Sequence, residues 1–343
     1  MAARWAMTSA IVATTVAMLT VTTPNTATAR SQEPTQGPAQ ALSQQDQPSE
    51  RFRSSVDVVS VAAVVRDRKG RFVPDLSQRD FIIVESGQSR PIVGFKAEKD
   101  GPVRLAIVFD VSGSMRVGTK AADAREAARQ VLSSLNGSDQ AALFSFDTKL
   151  ERVRDFTSDF KSLAAALDKV DAPYGQTSLY DAVAEAAQAV GGRRNPDGQA
   201  PQRAAVVVLT DGVDTHSRLK PGEVSGIASE IDVPVYVMAV LSSIDDPRMF
   251  DDPETATAGG LRDLARWTGG ELFTMSAPAH TSQAARQIVS ELRHQYLLAF
   301  EASPRPGWRS LEIKARSRDL TVRARSGYTA GGRSSSMVNE TRR

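Results

Sequence analysis

Hydrophobic positions change their spacing several times along this chain, and each change marks a different kind of element. Residues 8–21 form a short uncharged run rich in Ala, Val and Thr, preceded by Arg4 and followed by Ala27-Thr28-Ala29. That order is a secretion signal with a small-residue cleavage pattern, and it predicts a signal peptide over residues 1–29 cut after Ala29. The run is shorter than the roughly 20 apolar residues of a membrane-spanning helix. The expectation is a secreted or periplasmic protein with no membrane span once the signal is removed; an uncleaved anchor is the alternative. Residues 30–51 are rich in Gln, Pro and Ser without any period and read as a flexible linker.

From residue 52 the pattern turns to strands. Residues 56–65 are strongly β-prone, Asp67-Arg68-Lys69-Gly70 supplies a turn, and residues 81–84 and 92–95 flank a second turn, Glu85-Ser86-Gly87-Gln88. A small antiparallel β unit is expected over 52–101. Over 102–295 the pattern becomes strand, helix, strand. Apolar runs at 105–109, 141–146, 205–209, 233–241 and 272–275 predict buried strands, with 153–156 as an antiparallel edge. Helical spacing covers 121–135, 163–170, 179–190, 261–267 and 283–293, and Asn136-Gly137 and Gly269-Gly270 stop two of these helices. Strands alternating with helices imply a doubly wound, mostly parallel sheet, an α/β fold. The chain ends in short strands at 296–300, 310–315 and 320–324, followed by a polar tail at 330–343 expected to be mobile. Neither β segment is large enough for its own core. They are therefore expected to pair, 52–101 with 296–329, into one flanking β-sandwich with the α/β domain inserted between them.

Length and composition narrow this picture only slightly. A chain of 343 residues, 41% hydrophobic, has material for about two domains. Lys plus Arg number 42 against 40 Asp plus Glu, and no basic cluster of the kind nucleic acid requires is present. There is no cysteine, so an exported chain must be held together by its core alone.

The chemistry lies where strands end. The first buried strand terminates in Asp110-Val111-Ser112-Gly113-Ser114, delivering a carboxylate and two hydroxyls to the rim of the sheet. A second loop places Thr177 just before a helix, and a third, Thr210-Asp211-Gly212, places Asp211 directly after a strand. All five are hard oxygen donors suited to magnesium, calcium or manganese. Magnesium takes about six oxygens at roughly 2.0–2.1 Å, so five side chains leave at least one position open. A first shell rich in neutral hydroxyls keeps an ion electrophilic and receptive to an incoming carboxylate. Each loop alone has a plainer reading: Ser and Asp after a strand cap helices, Thr177 is an N-cap, and Asp211-Gly212 is a turn. Their conjunction on one sheet is what points to a shared site.

Asp110-Val111-Ser112-Gly113-Ser114 with Thr177 and Asp211-Gly212 resembles the metal-ion-dependent adhesion site (MIDAS) of von Willebrand factor type A domains, and the resemblance extends over roughly 102–295. The flanks, with Phe81 and the ending Arg323-Ala324-Arg325-Ser326-Gly327-Tyr328, resemble a bacterial exported subgroup. The resemblance implies a Rossmann-like fold with magnesium at its top. Ser112, Ser114 and Thr177 would be hydroxyl ligands, and Asp110 and Asp211 would act directly or through water. It also implies adhesion or assembly rather than catalysis, with a protein partner offering an Asp or Glu carboxylate. The alternative is an assembly or chaperone-like component of an envelope complex with a structural or vestigial site.

Other signals carry less. Gly113–Lys120 imitates a phosphate-binding loop, but Thr119 precedes Lys120 where Gly-Lys-Ser/Thr is required. Ser112 sits in no nucleophile elbow, and His216, His280 and His294 lack a partner pattern. Residues 242–260, with Asp245, Asp246, Asp251, Asp252 and Glu254, read as a solvated loop in preference to a specificity loop or second cation site.

Overall fold

The computed structural model describes residues 58–170, 175–191, 203–212, 214–230, 232–240, 258–275 and 277–330. The expected signal, linker and tail, and most of the acidic loop at 242–260, lie outside the described residues. No described helix is long and apolar enough to cross a membrane.

The centre is a six-stranded sheet built from β5 (Val103–Asp110), β6 (Gln140–Phe146), β7 (Leu150–Thr157), β8 (Arg203–Thr210), β9 (Val235–Ala239) and β10 (Leu272–Thr274), in the order β10-β9-β8-β5-β6-β7. Every pairing is parallel except β6 with the edge strand β7. Alternation along the strands divides the core in two. Val103, Leu105, Ile107 and Phe109 face one layer of helices: α1 (Lys120–Ser133), α2 (Phe160–Leu167) and α6 (Pro278–Arg293). Ala106 and Val108 face the other: α3 (Leu179–Gly191), α4 (Pro221–Glu230) and α5 (Ala258–Thr268). Because both faces are covered, all eight positions of β5 are buried. From β5 the chain runs outward one way through β6 and β7, then returns to build β8, β9 and β10 on the other side. The order therefore reverses between β5 and β8, and the crevice beyond the carboxyl ends of these two strands is where such sheets bind ligands.

Helix α4 has no counterpart in the periodicity. Its sequence, PGEVSGIASE, carries two Gly and two Ser and is a weak helix former. Burial of Val224 and Ala228, one turn apart, in the second core supplies what propensity does not.

The two terminal β segments form the flanking sandwich. Its strands are β1 (Val58–Asp67), β2 (Phe81–Glu85), β3 (Gln88–Arg90), β4 (Ile92–Ala97), β11 (Tyr296–Glu301), β12 (Gly307–Ala315), β13 (Leu320–Ala324) and β14 (Gly327–Ala330). One sheet runs β13-β1-β11-β4 and the other β14-β12-β2-β3, with antiparallel pairing throughout. Val61, Leu298 and Phe300 of the first meet Phe81, Ile83 and Ile313 of the second in one core. The pairing within 81–97 differs from the simple reading of its turn. Strand β2 folds back on β3 through Ser86 and Gly87, pairing Ile83 with Arg90. Pro91 then separates β3 from β4, which crosses to the other sheet and pairs with β11. Ion pairs tie sandwich to α/β layers: Arg323 of β13 and Arg66 of β1 both reach Glu291 of α6, and Arg66 lies 3.2 Å from Glu271. Glu291 also accepts a 3.1 Å hydrogen bond from the Tyr236 hydroxyl of β9.

Candidate metal centre

The site forms where β5 and β8 end. Asp110 closes β5 opposite Phe146 of β6 and is fully buried. Its Oδ1 accepts the Ser112 backbone N–H at 2.8 Å, and its Oδ2 accepts the Thr210 hydroxyl at 2.5 Å. Burial raises the Asp110 carboxyl most; hydrogen bonds from Thr210 and Ser112 oppose that, the nearby Asp211 adds to it, and the group is pushed up to about 6. Ser112 precedes a short 3₁₀ turn, Gly113–Arg116, anchored by the fully buried Met115. The Ser112 and Ser114 hydroxyl oxygens stand 3.1 Å apart, so the two hydroxyls face one point from positions i and i+2.

Backbone bonds dock the other loops onto this turn. Gly113 N–H donates to the Gly175 carbonyl at 3.2 Å, joining the first loop to the one that carries Thr177. The Thr177 N–H donates to the Thr215 hydroxyl, and its carbonyl accepts the Thr215 and His216 N–H groups, each at 2.9 Å. The second loop is thus pinned to the third. Helix α3 takes its caps from across the site: Leu179 N–H donates to Asp214 Oδ1 and Tyr180 N–H to the Ser217 hydroxyl, both at 2.9 Å. Its start therefore does not depend on Thr177 as a cap. In the third loop the Thr210 hydroxyl oxygen also accepts Gly212 N–H at 3.0 Å, and Gly212 holds φ at +90°, a conformation glycine adopts without strain.

Asp211 is buried, and its two oxygens differ. Oδ2 accepts a hydrogen bond from Lys120 Nζ at 2.9 Å, while Oδ1 has no partner among the described residues. Lys120 belongs to the sequence that imitates a phosphate-binding loop, and the fold buries it at the first position of α1, against the third loop. In the sequence Thr210 stands out only as the residue before Asp211. The one signal for Lys120 was a lysine opening a helix just after the Asp-x-Ser-x-Ser turn. Among the described residues no group of three or more His, Cys, Asp or Glu comes together. A cation here would accordingly draw on hydroxyls for most of its protein ligands. The donor set fits one: Asp211 gives one oxygen to the Lys120 ammonium while its Oδ1 has no partner among the described residues, and the buried Asp110 carboxylate is its electrostatic neighbour.

The family model described as the von Willebrand factor type A domain matches residues 105–213. Those residues carry a von Willebrand factor type A domain. Members of this family often mediate metal-dependent protein binding. Solved structures similar to this chain include BatB from Bacteroides thetaiotaomicron, at 19% identity over 55% of this chain and 98% of that one, with a TM-score of 0.44. A von Willebrand factor type A protein from Catenulispora acidiphila matches at 13% identity over 71% and 75%, with a TM-score of 0.43. Proximal thread matrix protein 1 from the mussel byssus, with a zinc-occupied MIDAS motif, matches at 15% identity over 61% and 49%, with a TM-score of 0.43. The chain spans about half the length of that mussel protein. Comparison with curated proteins finds no match.

Proposed function

We propose that this protein is an exported, non-enzymatic binding protein whose type A domain holds a divalent cation and through it takes an Asp or Glu carboxylate from a protein partner. Magnesium is the expected ion, with calcium or manganese as substitutes of the same hard character. Asp110, Ser112, Ser114, Thr177 and Asp211 are the residues that would hold it. The observation that carries this reading is the buried Oδ1 of Asp211, without a hydrogen-bond partner among the described residues, in a site where the Ser112 and Ser114 hydroxyls already converge. A bound ion would supply an electrophilic coordination position at the rim. The chain's own contribution is to hold its oxygens in place beforehand through the Gly113–Gly175 and Thr177–Thr215 bonds.

The test is thermal unfolding of the full chain with magnesium against chelator. An ion present at about 100 times its Kd stabilises the fold by about 2.7 kcal/mol, which would register as a clear rise in Tm. The double variant Asp110→Ala/Ser112→Ala should fold in chelator and lose that rise. An acidic partner should add a second rise in wild type only when magnesium is present. A wild-type Tm indifferent to magnesium, calcium and manganese refutes the reading.

A second reading also has an observation behind it. The Lys120–Asp211 pair places a positive charge at the site from within the chain. This favours an assembly component of an envelope complex in which the metal site is structural or vestigial. Such a protein would bind its partner equally well in chelator.

A further inference from the structure

The Lys120–Asp211 pair is the least expected contact in the site. Both side chains are nearly inaccessible, 5% and 2% exposed, and Nζ lies 2.9 Å from Oδ2. Lys120 is also the first residue of α1. A cation at a helix N-terminus opposes the macrodipole, and a cation removed from water carries a large desolvation penalty. Asp211 compensates for it, across a separation of 91 residues. That same aspartate is a proposed ligand, and its second oxygen has no partner among the described residues.

We infer that Lys120 is a resident counter-charge that competes with the divalent cation for Asp211, holding the third loop in place when no ion is bound and weakening ion affinity when one arrives. The inference rests on the cation reading above and goes beyond it, because it concerns what sets the affinity. A divalent ion seated against Asp211 meets the ammonium at short range, where like charges in a water-poor site repel strongly. The site would then load at high ion concentration, or when an incoming carboxylate offsets the ammonium.

The experiment compares wild type, Lys120→Met and Lys120→Arg as full-length chains. Magnesium binding is measured by calorimetric titration, and Tm is measured in chelator and in magnesium. Lys120→Met keeps the buried stem and removes the charge. The expected result is magnesium affinity raised at least about tenfold, a lower Tm in chelator, and a larger rise in Tm on adding magnesium. Lys120→Arg, which keeps the charge, should bind magnesium like wild type. Should Lys120→Met fail to fold in both conditions, Lys120→Gln, which retains a donor for Asp211 without charge, is judged by the same affinity comparison. Unchanged or weaker magnesium binding in the neutral variant overturns the inference while leaving the cation reading intact. Absence of magnesium binding in every variant overturns both. Binding in the neutral variant but not in wild type supports the inference and makes Lys120 the dominant occupant.

Discussion

At the scale of single residues, the site depends on side chains that sequence proximity reveals unequally. Asp110, Ser112 and Ser114 lie within one turn, so their convergence follows from strand and turn geometry alone. Thr210 and Lys120 act on partners far away in the chain, Thr210 on Asp110 and Lys120 on Asp211, and no local pattern announces such pairs. Thr210 is the sharper case. Its hydroxyl donates to a fully buried carboxylate and its oxygen accepts Gly212 N–H, so one side chain joins the ends of β5 and β8. Thr210→Val keeps the shape and removes both bonds, leaving a buried acceptor and a buried donor without partners. The expected destabilisation is about 1–3 kcal/mol, measured by urea unfolding, with weakened magnesium response because Asp110 is no longer oriented.

Among the elements, long periodic segments were readable and short ones were not. The parallel strands and helices α1, α3 and α6 follow from apolar runs and helical spacing. Helix α4 did not, because Val224 and Ala228 provide its stability through the second core and its own sequence opposes it. Strand β3 and strand β14 escaped notice because three or four residues carry too little pattern, and each exists only by pairing, with β2 and β12 respectively. The Gly269-Gly270 stop after α5 was legible, but the severity of its constraint was not. A Cβ on Gly270 would lie 1.9 Å from the Val235 carbonyl oxygen, in backbone that also pairs with β8. Since β9 cannot retreat without leaving the sheet, Gly270→Ala should cost about 3 kcal/mol in chemical unfolding. An effect below 1 kcal/mol would show that the α5–β10 connection is looser than this packing implies.

For the whole molecule, the two β segments that flank the α/β layers stabilise each other. Glu85 on β2 lies within the sandwich, accepting hydrogen bonds from the Tyr328 hydroxyl of β14, from Ser303 N–H at 3.2 Å and from Arg90 Nε at 2.6 Å. Burial by itself would raise its carboxyl, but the bonds from Tyr328, Ser303 and Arg90 outweigh burial and hold it below the ordinary value of 4.5. A carboxyl depressed in the folded state stabilises fully above its unfolded pKa, and that contribution is lost as pH falls through the folded value. Stability should therefore decline below about pH 4.5 through this group. Glu85→Gln should flatten that part of the Tm-against-pH curve; an unchanged acid limb would assign the decline to other carboxylates. Residue identities read in order were sufficient for the doubly wound α/β class and for pairing the two β segments around it, and they put Asp110 and Asp211 at the ends of β5 and β8. These depend on local period and on the need of small apolar faces for cover. Folding in three dimensions settled which sheet each short strand joins, which residues cap α3, and that a lysine sits against Asp211. Those outcomes depend on charges and hydrogen bonds between segments distant in the chain, whose strength arises only after burial has removed the water that would otherwise satisfy them.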